Sequence, residues 1–545
     1  MARTVGGFFS LPISLARGGG TPLYEQLYAA VRQAILSGTL RKGLRLPSTR
    51  FLAADLNVSR NIVLLAFEQL LAEGYLEART GAGTFVASSL PEEVLLVRAP
   101  GAAYPPVLSA RGQAMRALSQ RELSKYLPAI APALRYAPFR LGLPALDALP
   151  LDLWGRLLAR HCRRATPEVA LHGDPGGYQP LREAIAAYAG AARGVRCQPE
   201  QVLIVNGSQQ AIDLAARLLA DAGDTAAVED PGYGGARAAL QAAGVKLHPV
   251  AVGSDGMRVE LLPEPSAASA RSEGAPQPAR AKAGRPAASR PGARAHHMAR
   301  CAHPPKLVYV TPSHQFPTGV VLSLAKRLHL LDWAERNRSY ILEDDFDSEF
   351  RFTGRPIPAL QGLDQTGRVI YLGTFSKVLF PSLRLGYMIV PERLCEAFIA
   401  ARWTVDRCSP LVEQAALADF IGEGHLARHI RRMRALYMER QAALTAAIAH
   451  ELAGELEAPG AEAGMHLVGW LREGVRDDRV AAAAVGAGLY VLPVSDFALR
   501  PLPRGGLLLG FAAFPPKVLT RAVAELGRVI RGAGAAMRAG AGATS

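Results

Sequence analysis

The chain has 545 residues, of which 49% are hydrophobic and 20% are charged, a composition that excludes a largely disordered chain and a coiled coil. The length corresponds to about two to four domains, and no apolar run reaches the roughly 18 residues of a membrane-spanning helix. The net charge of +15 is compatible with a polyanionic partner but does not identify one. Because the five cysteines form no CxxC pair and no export signal is evident, we expect a reduced, cytoplasmic protein.

Residues 21–88 have the pattern of a small unit with three helices and a hairpin. Apolar residues recur at helical spacing from Tyr24 to Ile35, and Ser48 and Ser59 are placed to cap two further helices. Two short β-type runs separated by a Thr-Gly-Ala-Gly break follow. Three helices followed by a hairpin predict a winged helix-turn-helix.

Candidate DNA contacts lie at the start of the third helix, early in the second helix and at the tip of the hairpin. The second helix of a helix-turn-helix enters the major groove with its N-terminal end, where arginine suits guanine and asparagine suits adenine. An isolated Ser-Arg-Asn on a surface helix is more often a simple cap, so the prediction depends on the whole unit. The predicted contacts are Arg50, Ser59, Arg60, Asn61, Gly81 and Gly83.

The rest of the chain divides into a linker and a large domain. Residues 89–135 show weak periodicity and are predicted to be a linker, whereas strands and helices alternate over 136–532, which predicts a mostly parallel, doubly wound α/β sheet. The segment 262–305 is rich in Ala, Pro, Ser and Gly and is predicted to be a disordered insertion. Potential metal ligands crowd this insertion without a fold to position them, so we expect no metal site: His296, His297, Cys301 and His303.

A lysine after a buried strand is the first feature suited to pyridoxal 5′-phosphate (PLP). In Gly-Thr-Phe-Ser-Lys, the amine of Lys377 can form a Schiff base with an aldehyde if its pocket lowers its pKa. Thr374 and Ser376 can donate hydrogen bonds to a phosphate, and Arg384 can bind the phosphate bidentately.

Three further features suit the same cofactor. A strand that ends in Glu-Asp-Asp-Phe places Asp344 and Phe346 on one face, and a carboxylate at Asp344 would keep a pyridine nitrogen protonated. The turn Asn-Gly-Ser-Gln-Gln opens a helix whose free N–H groups suit a phosphate. Tyr233, in Asp-Pro-Gly-Tyr, can stack on a pyridine ring. Each feature alone is weak, and their order along the chain gives them weight.

These segments resemble known families. The unit with LPSTR and VSRN is similar to the winged-helix domain of GntR-type regulators, and the later segments are similar to fold-type I aminotransferases. Together with GDPGGYQPLREAIA, TPSHQFPTG and GTFSKVLFPSLRLGY, they resemble the MocR subfamily of GntR regulators. The resemblance implies Lys377 as Schiff-base lysine, Asp344 as partner of the pyridine nitrogen and Arg384 as phosphate ligand.

The same resemblance implies further cofactor contacts and a dimer. Ser208 and Gln209 would lie at the phosphate, and Tyr233 would stack on the ring. Tyr178 resembles the tyrosine that reaches the phosphate bound in the partner subunit, which implies a head-to-tail homodimer.

Two residues depart from the family pattern. Phe346 stands where the family usually has a tyrosine that donates to the phenolic oxygen of the cofactor; His314 is either a substitute donor or a structural histidine. Leu508 stands where many aminotransferases have an arginine for the substrate carboxylate, and Arg504 lies outside that strand. Efficient transamination of a plain α-amino acid is therefore not expected.

The sequence thus predicts a PLP-dependent transcription regulator that binds operator DNA and senses PLP itself or an amine or amino-acid effector. Phe346 and Leu508 favour PLP itself as the signal. An active aminotransferase with an appended DNA-binding module is the alternative. A third possibility is a DNA-binding protein whose large domain is a dimerisation scaffold without cofactor.

Overall fold

A computed structural model forms two compact units, Met1–Val107 and Leu108–Ser545. Almost all of the predicted insertion lies outside the described residues, as do all of its potential metal ligands except His303. No helix in the described part of the chain is both long and apolar enough to cross a bilayer. The described residues are 15–16, 20–90, 108–126, 134, 136–163, 171–264, 303–354 and 357–541.

The first unit has three helices and one hairpin around its own apolar core. The Ser48 hydroxyl accepts a hydrogen bond from the Phe51 N–H at 3.2 Å, which caps the second helix as predicted. Leu27, Val31 and Phe67 are buried in the core. This confirms the predicted winged helix-turn-helix. Its elements are α1 Leu23–Leu36, α2 Thr49–Asp55, α3 Arg60–Ala72, β1 Leu76–Arg79 and β2 Gly83–Val86.

The second unit contains an eight-stranded sheet in the order β3-β10-β9-β8-β7-β4-β5-β6. Neighbouring strands from β9 to β5 in this order run parallel, whereas β10 is antiparallel to both of its neighbours and β6 is antiparallel to β5. The strands are β3 Val202–Val205, β4 Thr225–Asp230, β5 Lys246–Gly253, β6 Gly256–Met257, β7 Leu307–Val310, β8 Tyr340–Asp345, β9 Val369–Thr374 and β10 Gly386–Ile389.

Helices cover both faces of this sheet. Ile370 and Leu372 of β9 belong to one apolar cluster and Tyr371 to another, as expected for alternating side chains in a sheet that is buried on both sides. The helices are α4 Ala110–Tyr126, α5 Leu151–Arg163, α6 Gln179–Arg193, α7 Ser208–Leu219, α8 Gly234–Ala242, α9 Leu324–Arg336, α10 Leu360–Leu363, α11 Cys395–Asp406, α12 Leu411–Gly422, α13 His425–Glu451, α14 Asp477–Gly486 and α15 Pro516–Ala541.

A smaller antiparallel sheet in the order β11-β12-β14-β13 completes the second unit. Val468, Leu492 and Leu508 of this sheet share an apolar cluster with Phe497. The strands are β11 Leu456–Glu457, β12 His466–Leu471, β13 Leu492–Pro493 and β14 Gly506–Gly510.

Two predicted boundaries differ from the structure. Part of the predicted linker 89–135 is the helix α4, which packs against α8; the Arg111 guanidinium donates to the Ala242 carbonyl at 3.0 Å. At the other end, α15 continues to Ala541, beyond the predicted domain end at 532. The weak apolar periodicity of α4 explains why its sequence was read as a linker.

The carboxyl ends of β3, β4, β7, β8 and β9 all meet at one edge of the large sheet, since β3 and β9 are both antiparallel to β10. Ligands of doubly wound sheets bind at this edge. All four predicted cofactor-binding segments follow these strand ends, so the topology brings them together.

Candidate cofactor site and DNA interface

A cavity of about 260 Å³ lies at the carboxyl edge of the large sheet. All of the predicted cofactor residues except Tyr178 line it, and Phe346 lines it as well. The predicted residues in its wall are Ser208, Gln209, Tyr233, Asp344, Thr374, Ser376, Lys377 and Arg384.

Lys377 presents its amine to this cavity. Burial lowers the pKa of the amine, whereas the carboxylates of Asp347 and Asp344 oppose that change. Gly142 packs directly on the lysine, because a Cβ at Gly142 would collide with Nζ. The backbone of Gly142 has a φ of +70°, a conformation that L side chains rarely adopt.

Asp344 is the carboxylate at the end of β8 that faces the cavity. The Tyr309 hydroxyl donates to it at 2.8 Å, and the Ser208 hydroxyl at 3.4 Å. Burial raises the pKa of Asp344 to about 7, although the hydrogen bond from Tyr309 acts in the opposite direction. The group can therefore hold or release a proton near neutral pH.

The two acids beside Asp344 have structural partners. Glu343 accepts hydrogen bonds from the first N–H groups of α10, at 2.7 and 2.8 Å. Asp345 is paired with the guanidinium of Arg193 at 2.7 Å. Of the residues from 343 to 347, those that line the cavity are Asp344, Phe346 and Asp347.

The start of α7 and the loop after β9 form one end of the cavity. Gly207 precedes the helix with a φ of +93°, and a Cβ there would lie 3.3 Å from the Arg384 guanidinium. Arg384 donates to the Asn206 carbonyl at 2.6 Å and is itself exposed at the cavity wall. Ser208 opens the helix, so its N–H is among the groups at the helix start that lack an intrahelical partner.

The remaining predicted groups surround this end. The Thr374 hydroxyl accepts from the Ser376 N–H at 3.2 Å, and the Ser376 hydroxyl is buried without a hydrogen-bond partner. Gln209 donates to the Gly235 carbonyl at 3.0 Å. Burial raises the pKa of the Tyr233 hydroxyl to about 12, so this ring is neutral in the cavity wall.

His314 does not line the cavity with Phe346. Its Nδ1 lies 2.9 Å from a carboxylate oxygen of Asp347, and its Nε2 is buried without a partner. Asp347 and His466 do line the cavity, and burial lowers the pKa of His466 to about 4. His314, Asp347 and His466 are the one cluster of possible metal ligands that the described residues contain.

The strand β14 offers no cation to the cavity. Leu508 is fully buried in one apolar cluster with Tyr490 and Leu492, both of which line the cavity, whereas Leu508 itself does not. Arg504 points elsewhere and pairs with Glu457 at 2.7 Å. Sequence reasoning missed Arg140, Tyr309, Asp347 and His466 as cavity residues; only a knowledge of the tertiary pairing would have found them.

Tyr178 lies just before α6, outside the cavity of its own chain. Its N–H donates to the side chain of Gln414 at 2.8 Å, and its ring packs at the border of the main apolar cluster. A role at a phosphate would require a second copy of the chain.

The predicted DNA contacts are all exposed on the winged-helix unit. Ser59 precedes α3, which begins at Arg60, but its side chain makes no capping hydrogen bond. Gly83 in the hairpin has a φ of +111° and lies beside the guanidinium of Arg45, a basic residue that sequence reasoning missed. The exposed predicted residues are Arg50, Ser59, Arg60, Asn61, Gly81 and Gly83.

The comparisons with known proteins agree with both units. The family described as "Bacterial regulatory proteins, gntR family" matches residues 23–86, and "Aminotransferase class I and II" matches 147–526. The probable rhizopine catabolism regulatory protein MocR of Rhizobium meliloti is 40% identical over 516 residues, 94% of each chain. The chain belongs to the MocR-type regulators of the GntR family.

Further relatives of this MocR-type chain are consistent with that assignment. The pyridoxine biosynthesis transcriptional regulator PdxR of Corynebacterium glutamicum is 29% identical and covers 95% of this chain and 98% of its own. The multiple substrate aminotransferase of Thermococcus profundus matches with a TM-score of 0.64 and 26% identity, over 78% of this chain and 98% of its own. LysN from Thermus thermophilus, solved with N-(5′-phosphopyridoxyl)-L-leucine, matches to the same extent.

These findings confirm a transcription regulator with a DNA-binding winged helix-turn-helix and an aminotransferase-like domain of fold type I. The fold and its solved relatives imply a PLP site. They favour the regulator over the aminotransferase with an appended module.

Proposed function

We propose that this regulator binds PLP in the cavity and that the bound cofactor, alone or with an amine effector, changes its affinity for operator DNA. The observation that carries the proposal is the amine of Lys377, lowered in pKa by burial, in one cavity with Asp344. A lower pKa increases the share of neutral amine, which is the form that attacks an aldehyde.

The residues present fit the cofactor. The Ser376 hydroxyl is buried without a partner, so a phosphate oxygen would satisfy a donor that is otherwise unpaired. The start of α7 and Arg384 add further donors at the same end of the cavity. Asp344 and Tyr233 line the same cavity, and we assign Asp344 to the ring nitrogen and Tyr233 to the ring face.

When bound, PLP supplies an aldehyde that bonds to primary amines and a ring that withdraws electrons. Lys377 would supply the amine, and the Asp344 carboxylate would accept a hydrogen bond from the protonated ring nitrogen, which keeps its proton. Phe346 has no hydroxyl to offer the phenolic oxygen, a loss of about 0.5–1.5 kcal/mol of hydrogen bonding. Asp347, which lines the same cavity, keeps a negative charge near the amine.

We further propose a head-to-tail homodimer. Tyr178 is outside its own cavity, so it would contribute to the phosphate site of the second copy. Two winged helices in one dimer would then contact two half-sites of the operator.

Regulation requires a ligand that binds one state of the dimer better than the other. PLP itself is one candidate signal; PdxR is named for pyridoxine biosynthesis. An amine that takes the place of the Lys377 amine on the cofactor is the other. Efficient turnover of plain α-amino acids is not part of the proposal, because Leu508 gives β14 no cation for their carboxylate.

The function is tested by measuring binding of the full chain to a duplex selected from a random pool, with and without PLP. We expect the dissociation constant to change on addition of PLP, or on subsequent addition of a primary amine. An affinity that ignores both PLP and amines would leave only a DNA-binding scaffold.

Arg60 provides the test of the DNA interface. If it reads a base at the start of α3, Arg60→Ala should weaken binding to the selected duplex by about 1–3 kcal/mol and relax the sequence preference. A scrambled duplex of the same length is the control. An equal loss on both duplexes would make Arg60 a phosphate contact and contradict the prediction.

A further inference from the structure

Among the described residues that line the cavity, Arg140 is a cation to which the proposed function assigns no cofactor contact. Its basic wall residues are Arg140, Lys377 and Arg384, and the last two are assigned to PLP under the proposed function. Arg140 lines the cavity with its guanidinium over the Tyr490 ring, 4.8 Å from the ring centroid. Tyr490 and Leu141 also line the cavity.

Among the described residues, no carboxylate pairs with the guanidinium of Arg140. In the part of the chain that the structure describes, its guanidinium contacts the Leu134 carbonyl at 3.4 Å and the Tyr490 ring. The preceding segment 127–133 contains no acidic residue. A half-buried guanidinium that has no carboxylate partner among the described residues favours an anionic ligand.

The backbone that carries Arg140 is firmly held. Phe139, which is fully buried at a φ of +70°, pairs with Gly510 at the end of β14, where the Gly510 N–H donates to the Phe139 carbonyl at 2.9 Å. The Tyr490 N–H donates to the Pro138 carbonyl at 3.0 Å. The arginine is therefore presented by a fixed segment beside the strand that itself lacks a cation.

Arg140 is also close to the reacting amine. Gly142 packs on Nζ of Lys377, and two residues of chain span at most about 7 Å. Because Arg140 and Lys377 line one cavity, a small amine held at the position of the Lys377 nitrogen is expected to extend toward the segment that carries Arg140.

We propose that Arg140 binds the anionic group of the effector, which is therefore a primary amine bearing a carboxylate or a sulfonate. This inference rests on the proposed function. Arg140, in the segment before Gly142, would bind the anion that many aminotransferases bind with an arginine at the position where β14 has Leu508. Because the cation is on a different element, the amine and the anion of the effector need not share one carbon atom.

The test uses the full chain loaded with PLP and three small amines of similar length: β-alanine, taurine and ethanolamine. Two readouts are followed, the near-visible absorption of the cofactor and the dissociation constant for the selected duplex. We expect both anionic amines to act at lower concentration than ethanolamine. Arg140→Gln should raise their half-saturating concentrations about 10- to 100-fold and leave that of ethanolamine unchanged.

Arg140→Lys, which keeps the charge, should recover part of the preference, and Arg504→Gln should behave as the wild type. An unchanged cofactor absorption in Arg140→Gln before any amine is added shows that the variant is folded. If the three amines act equally, or if the two anionic amines have no effect, the inference is wrong. In that case a cofactor band in the wild type would still support the proposed function. Absence of that band overturns both.

Discussion

Replacing Lys377 by alanine is expected to abolish the near-visible absorption that stays with the protein after unbound PLP is removed, and to remove the effect of PLP on operator binding. The reason is that Lys377 supplies the only lysine amine in the cavity wall among the described residues. Absorbance and DNA titrations of the same preparation measure the two effects. The winged helices should still bind DNA.

Lys517→Ala is the matched control, because Lys517 is exposed on α15, away from the cavity. It should keep both the absorption and the response to PLP. A Lys377→Ala protein that retains a covalent cofactor would show that another amine forms the bond.

Asp344→Asn is expected to raise the free energy of unfolding of the cofactor-free protein and to lower the affinity for PLP. Burial raises the pKa of Asp344 from 3.8 to about 7, so the folded, cofactor-free wild type loses stability as pH rises from about 4 to about 7. Each pKa unit corresponds to about 1.4 kcal/mol. The variant, which cannot ionise, should therefore have a free energy of unfolding higher by up to about 4 kcal/mol near pH 8.

With PLP bound, the same substitution removes the negative partner of the pyridinium. The affinity for PLP should fall by about 10- to 100-fold, as for the loss of a charged hydrogen bond. Chemical denaturation at about pH 4 and pH 8 and a cofactor titration measure the two effects. A variant that is less stable than the wild type at both pH values, or that binds PLP equally well, would contradict the role of Asp344.

The sequence predicted the parts of the site that follow directly from local patterns. Asp344 lies at the end of β8 and Lys377 follows the end of β9, and parallel strands end at the same edge, so their meeting was predictable. Strand alternation explains why Asp344 lies in a different environment from Glu343 and Asp345. It does not predict the partners of these acids. Arg193 lies far from Asp345 in the sequence.

Other features depended on long-range packing. Asp347 stands in a run of acidic residues, and nothing local distinguishes it from its neighbours. Its contact with His314 forms because β7 and β8 lie side by side. Arg140 reaches the cavity because its segment pairs with the end of β14, more than three hundred residues later. The helix α4 was missed because its sequence has little apolar periodicity.

The most direct test of the account is to treat the PLP-loaded full chain with borohydride, which reduces the bond between PLP and an amine, and to analyse its peptides by mass spectrometry. We expect a phosphopyridoxyl group on the peptide that contains Lys377, in a preparation whose operator affinity responds to PLP. A preparation without modification, or with the group spread over surface lysines only, would contradict it.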